Sequence, residues 1–213
     1  MANPVADSME GPPGRHPVAG ALLDERSTPS LRERFGDLAA RSKSLAVAIR
    51  RVRLTGVDLT ADELRQVSSI RVLLGGLDAG TFVAEADAVM VDASRREGAE
   101  RLLWLLQTGV ASVRIAPLLT WAPDFSVFSN RAGPTHAIYG CHWFQRPPPS
   151  PGPAFALICS GSGAALGFRR FEELWRMGHD ATPAVEGMLL AAQRRAGVVL
   201  GDLDSPLEPV RDD

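Results

Sequence analysis

Four residues of the types that act as nucleophiles, proton carriers or metal ligands fall close together in the second half of the chain: His136, Cys141, His142 and Cys159. Imidazole and thiolate together are the ligand types of a bound metal. Zinc sites use recurring short spacings, such as a C-x2-C pair matched by a second pair. His136-x4-Cys141-His142 lacks that form, and neighbours on a strand point to opposite faces. His136, Gly140 and His142 would share one face, so a two-histidine site is geometrically possible. The plainer reading is buried cysteines and hydrogen-bonded strand histidines, and no metal and no cofactor are expected.

A second group could hold an anion. Residues 26–71 carry ten basic against five acidic side chains, and Arg50, Arg51 and Arg53 stand together just after an apolar run. They could line a phosphate site or simply flank a strand at a solvated edge. Of the 23 basic residues only Lys43 is a lysine, so any chemistry that needs one has a single candidate. Ser160-Gly161-Ser162-Gly163 has the make-up of a strand-to-helix turn whose N–H groups could face a phosphate. It lacks the lysine of a P-loop and the third glycine of a dinucleotide fingerprint, and an ordinary turn explains it as well.

The elements that must position these residues follow from periodicity. Leu31, Phe35, Leu38 and Ala39 form one stripe of a helix over 29–42, capped by Ser27 or Thr28 with Pro29 first in the helix. Residues 44–50 predict a buried strand, 60–67 a helix with a capping-box start, and 70–74 a second strand. Residues 77–92 suggest no definite element. A helix over 93–109 runs from Asp92 to Gly109, with Leu102, Leu103, Trp104, Leu105 and Leu106 packing on it. Strands are expected at 111–116, 125–129, 136–144 and 154–160, and helices at 163–177 and 182–196. Pro147–Pro153 reads as a polyproline-like loop. The alternation gives an α/β fold with a mixed β-sheet flanked by helices.

The 213 residues suffice for one α/β domain. The organisation expected is a flexible arm over 1–28, a single domain with one core over 29–199, and a mobile acidic tail over 200–213. A net charge of −2 excludes both a strongly basic nucleic-acid coat and a highly acidic solvating chain. Two cysteines are too few for a disulfide scaffold and suit a reducing compartment. With no leader-like segment and no long apolar run, the expectation is a cytoplasmic protein without membrane contact.

The order of these pieces resembles one lobe of the phospholipase D superfamily. The opening helix leads to Leu45-Ala-Val-Ala-Ile49, similar to the first strand of such lobes, and then to Ile70-Arg-Val-Leu-Leu-Gly75. A helix ending in glycine, the strand Gly109-Val-Ala-Ser-Val-Arg-Ile115 and the closing Phe171-Glu-Glu-Leu-Trp175 complete it, so the resemblance spans about residues 29–177. It implies a phospholipase D-like lobe. It also implies a catalytic H-x-K-x4-D followed by G-S-x-N, in which histidine attacks phosphorus while lysine and asparagine cradle the phosphate.

Two registers place that motif. In the first, Gly140-Cys141-His142-Trp143-Phe144 matches the G-S-x-N strand, and Pro123, Phe125 and Asn130 take the positions of histidine, lysine and aspartate. In the second, His136 supplies the histidine, with Ile138 at the lysine and Trp143 at the aspartate. Neither retains the charged cradle, and the first also accounts for Gly140 and Phe144. Trp121, Tyr139, Trp143 and Phe144 gather where the family's cleft would lie, to stack a ligand or pack an interface.

The expected function is therefore a catalytically inactive binding or adaptor domain in a bacterial assembly or regulatory system. Such lobes act in pairs, which implies a homodimer or a related protein partner. Two other readings stay open. One is a residual phosphodiesterase or nuclease using His136; the other is a nucleic-acid or nucleotide sensor working through Arg50, Arg51 and Arg53. Under the binding reading, His142 and Trp143 join the three arginines as candidate ligand contacts.

Overall fold

β2 (Ser44–Ile49) is apolar at every position after its first residue, and all five of those residues are buried. A strand buried on both faces belongs in the middle of a covered sheet. In the computed structural model, which describes residues 20–23, 30–50, 54, 61–116, 124–140 and 156–203, it lies there. β3 (Ser69–Leu74) pairs parallel to β2, and β4 (Ala111–Ile115) pairs parallel to β3. On its other side β2 meets β5 (Phe125–Asn130) antiparallel, and β5 turns back into β6 (Gly133–Tyr139). β7 (Ala156–Ser160) and β1 (Gly20–Leu23) extend that side, while β8 (His179–Asp180) closes the other. The described strands run β1-β7-β6-β5-β2-β3-β4-β8, a mixed sheet as the sequence pattern predicts.

Alternation along the strands sorts their side chains to two faces. Leu45, Val47, Ile49, Val72, Val113, Phe128 and Ile138 face the larger core cluster. It is completed by α1 (Leu31–Ala40), α2 (Ala61–Leu64), α3 (Ala79–Val91), α4 (Ala93–Gln107) and α6 (Thr182–Leu203). Ala46, Ala48, Leu73, Phe125, Val127 and Ala137 face the opposite way and meet α5 (Ser162–Met177). The single expected core is thus two clusters, one on each side of one sheet.

Several boundaries differ from expectation for local reasons. Ser30 caps α1, because its hydroxyl accepts the Glu33 N–H while the Glu33 carboxylate accepts the Ser30 N–H at 2.7 Å. Residues 27–29, where the cap and first turn were expected, lie outside the described residues. The stretch without a definite element contains α3, started by Asp78, whose carboxylate accepts the N–H groups of Gly80 and Thr81. Phe82, Ala86, Val89 and Met90 then bury one face of it. Its polar positions are small or paired, which blurs the periodicity. The expected 60–67 helix is one turn, 61–64. α6 continues past 196 to Leu203, and Arg195 ties it to Asp87 of α3 at 2.6 Å.

Residues 20–23, within the expected arm, form β1, and β8 had no sequence signal because two residues carry no periodicity. Trp104, expected to pack with its leucine neighbours, is 58% exposed, since four leucines already fill the inner face of α4. The expected strand over 136–144 begins earlier, at Gly133, and its described part ends at Tyr139. Residues 141–144 and the proline segment lie outside the described residues, as do residues 204–213 of the expected tail.

α5 is held to its face by two arginines that rise from the parallel strands. The Arg71 guanidinium lies 5.1 Å from the Phe171 ring centroid and 5.5 Å from that of Trp175, and it pairs with Glu172 at 2.7 Å. Arg114 sits 4.9 Å from the Trp175 ring and donates to the Trp175 carbonyl at 2.9 Å. Cation–π contacts in such partly dry settings contribute on the order of 1 kcal/mol each. The "FxxLW" end of the helix therefore clamps the parallel half of the sheet.

Candidate functional site

The C-terminal end of β2, the start of β5 and the end of β6 meet at one end of the sheet's strands, and Phe125 and Gly140 of the first register lie there. Phe125 pairs with Tyr139 across the β5–β6 hairpin, and the Asp124 carbonyl accepts the Gly140 N–H at 2.8 Å. Phe125 and Gly140, one described residue from each half of that register, thus lie side by side. Gly140 has φ +89°, a left-handed conformation that glycine adopts without strain.

Sequence reasoning missed the residue that organises this end. Asp124 is buried, at 8% exposure. Its Oδ1 accepts the backbone N–H of Arg50 at 2.9 Å and lies 3.4 Å from the Arg50 Nε. A lone carboxylate heading an apolar strand was the available signal, because such a group needs donors once it is buried. Arg50 keeps much of its guanidinium in solvent, with 58% of the side chain exposed. It is the one member of the arginine trio within the described residues; Arg51 and Arg53 lie outside them. So do Trp121, Pro123, Cys141, His142, Trp143 and Phe144.

The position that the first register gives to lysine is a core position. Phe125 is 2% exposed, with its ring centroid 5.7 Å from that of Tyr139 and its side chain in the cluster beneath α5. Tyr139 belongs to the same packing. Its hydroxyl donates to the Gly163 carbonyl of α5 at 3.0 Å, and burial, aided by Cys159, raises its pKa above the ordinary value. It is therefore a fixed neutral donor. Cys159 is buried, and burial pushes its thiol up as well, away from thiolate reactivity.

His136 stands elsewhere. It pairs with Phe128, which also pairs with Leu45, so His136 is level with the start of β2. Arg50 follows five residues further along, roughly 16 Å away at strand spacing. Burial, with a smaller contribution from the charge of Arg41, lowers the His136 pKa below the ordinary 6.5. The second register also puts Ile138 at the lysine position, and Ile138 is wholly buried in the larger core. Among the described residues, no group of three or more His, Cys, Asp or Glu is placed to hold a metal ion. Among them too, no helix is long and apolar enough to cross a membrane.

In chemical terms, the described part of this strand end offers an exposed guanidinium and a carboxylate occupied by backbone and arginine donors. Ser160-Gly161-Ser162-Gly163, the other anion candidate, lies at the opposite end of the strands. Ser160 pairs there with His136, and α5 begins at Ser162.

No protein-family model matches the chain, and no curated protein does. Among solved structures it is similar to Nuc, a phospholipase D family member from Salmonella typhimurium. That likeness has TM-score 0.49 and 12% identity, over 77% of this chain and 98% of that one. It is similar also to phosphatidylserine synthase of Haemophilus influenzae Rd KW20, a second phospholipase D-superfamily fold, with TM-score 0.45 and 11% identity. There the match covers 85% of this chain and 47% of the other. A third is TrmBL2, an archaeal chromatin protein described with a novel mode of DNA binding, at TM-score 0.44 and 10% identity, over 82% of this chain and 57% of that one.

Proposed function

We propose that this chain is a phospholipase D-like domain that does not catalyse and works by binding, as a homodimer, in a bacterial assembly or regulatory system. The observation that carries the reading is the burial of Phe125 against Tyr139 beneath α5. A phosphate cradle needs a cationic donor at that position, and a phenylalanine locked in a core can neither donate nor be spared. The carboxylate beside it is engaged by Arg50, so it is occupied in holding the ends of β2 and β5 together. Binding through this end of the sheet would use the exposed guanidinium of Arg50, with Arg51, Arg53, His142 and Trp143 as further candidate contacts.

The test is hydrolysis of single-stranded DNA, duplex DNA and a chromogenic phosphodiester by the parent chain and by His136→Ala. No turnover in either is expected. Turnover by the parent that vanishes in the variant would replace this reading with a residual phosphodiesterase. Turnover that survives the substitution would also overturn it and locate the chemistry elsewhere. Oligonucleotide binding that weakens with salt and with Arg50→Ala would identify nucleic acid as the bound partner.

A further inference from the structure

The chain that leaves β2 is tied down at two amides. At Arg50 the backbone N–H donates to the buried Asp124 carboxylate at 2.9 Å. At Leu54 the backbone N–H donates to the Glu85 carboxylate of α3 at 3.2 Å. The Leu54 side chain is 1% exposed and belongs to the larger core cluster. Between the two anchored amides the sequence holds only Arg51, Val52 and Arg53. The Arg50 guanidinium stays mostly in solvent.

Glu85 is half-buried, and on its helix it neighbours the buried Phe82 and Val89 at spacings of three and four. A carboxylate in such a place loses hydration unless it accepts a hydrogen bond, and the Leu54 N–H supplies one. The charge that Glu85 brings works against an anion bound nearby. Its use to anion binding is therefore through the hydrogen bond and not through the charge.

We infer that Glu85 is a positioning residue for phosphate binding: by holding Leu54 it fixes the far end of the arginine segment whose near end Asp124 fixes. This rests on the reading that this end of the sheet binds a ligand, and it names the ligand's chemistry as phosphate. Guanidinium groups suit phosphate because their planar fork donates two parallel N–H bonds to its oxygens. Two anchors remove chain freedom before the ligand arrives, so binding does not have to remove it. Without the Leu54 anchor the arginines would meet the phosphates one at a time, with fewer contacts held together.

The experiment titrates the full chain into a fluorescent single-stranded oligonucleotide over a salt series, and repeats the titration with inorganic tripolyphosphate by calorimetry. The chains compared are the parent, Arg50→Ala, Glu85→Gln and Glu85→Ala. Both Glu85 variants remove the same charge, but only glutamine keeps an oxygen for the Leu54 N–H. The parent should bind in a salt-dependent way and Arg50→Ala more weakly. Glu85→Gln should bind as tightly as the parent or tighter. Glu85→Ala should bind at least threefold more weakly, with a flatter salt dependence because fewer phosphates are contacted. That ranking with both probes supports a free phosphate ligand, and with the oligonucleotide alone it supports a nucleic-acid strand. Glu85→Ala binding as well as Glu85→Gln, or more weakly but with the parent's salt dependence, would overturn the Glu85 assignment and leave the binding reading intact. A parent that binds neither probe, or an Arg50→Ala chain that binds as the parent does, would overturn both. If Glu85→Ala loses its far-UV spectrum, Glu85→Met, which keeps the stem without the oxygen, takes its place under the same outcomes.

Discussion

Asp124 binds Arg50 twice, accepting its backbone N–H at 2.9 Å and facing its Nε at 3.4 Å, so one buried carboxylate fixes where β2 ends. Its own carbonyl holds Gly140, which fixes where β6 ends. Substituting Asp124→Ala leaves the Arg50 N–H without its acceptor at a nearly dry position. The expected cost is about 1–3 kcal/mol in urea-induced unfolding. Asp124→Asn, which keeps an acceptor oxygen, should lose less.

Gly167 of α5 faces Tyr139 so closely that an added Cβ would sit 2.7 Å from the hydroxyl and 3.3 Å from Val127 Cγ2. Gly167→Ala should destabilise by roughly 1–3 kcal/mol through overpacking, against the modest gain alanine brings to a helix. Tyr139→Phe alone should cost about 1 kcal/mol for the hydrogen bond to Gly163. In the Phe background the alanine should cost less than in the parent, and a double-mutant cycle reads that coupling.

Ser126 is wholly buried on the larger-core face of β5, and its hydroxyl has no hydrogen-bond partner. Removing an unsatisfied buried hydroxyl lifts a desolvation cost while leaving little space behind. Ser126→Ala is expected to be neutral or to stabilise by about 1 kcal/mol in thermal or urea unfolding.

His136 has a folded-state pKa below the ordinary 6.5, from burial first and the Arg41 charge second. The unfolded chain therefore binds its proton more readily than the folded one. The stabilising contribution is complete above the ordinary value and is lost as pH falls through the folded value. Stability measured from pH 7.5 down to pH 5 should decline less steeply in His136→Gln than in the parent. Equal slopes would show that the imidazole has no part in the decline.

The sequence makes β2 and β5 legible because burial on both faces leaves little alternative composition, and β3, β4 and β7 through their short apolar runs. It also makes α5 legible, since Ala164, Gly167, Phe171 and Leu174 keep one stripe. α3 escapes because its polar positions are occupied by alanine and valine as often as by charge, so no contrast marks its outer face. β1 and β8 escape because strands of four and two residues owe their existence to a partner far along the chain. The candidate site is legible only in part. Arg50 stands where the arginine cluster is seen in sequence, but its engagement depends on Asp124, 74 positions later, which no local pattern connects to it. His136 looks equivalent to the candidate site residues in sequence, and only strand register sends it to the other end of the strands.

The position of β2 between β3 and β5 sets a schedule for the emerging chain. β3 follows β2 soon after synthesis, but β5 appears only after α3, α4 and β4. At ordinary translation rates, β2 waits on the order of several seconds for its second neighbour. Until then the most buried strand of the finished protein is an apolar border. Residues 44–49 thus stay half-paired on the nascent chain until β5 is made.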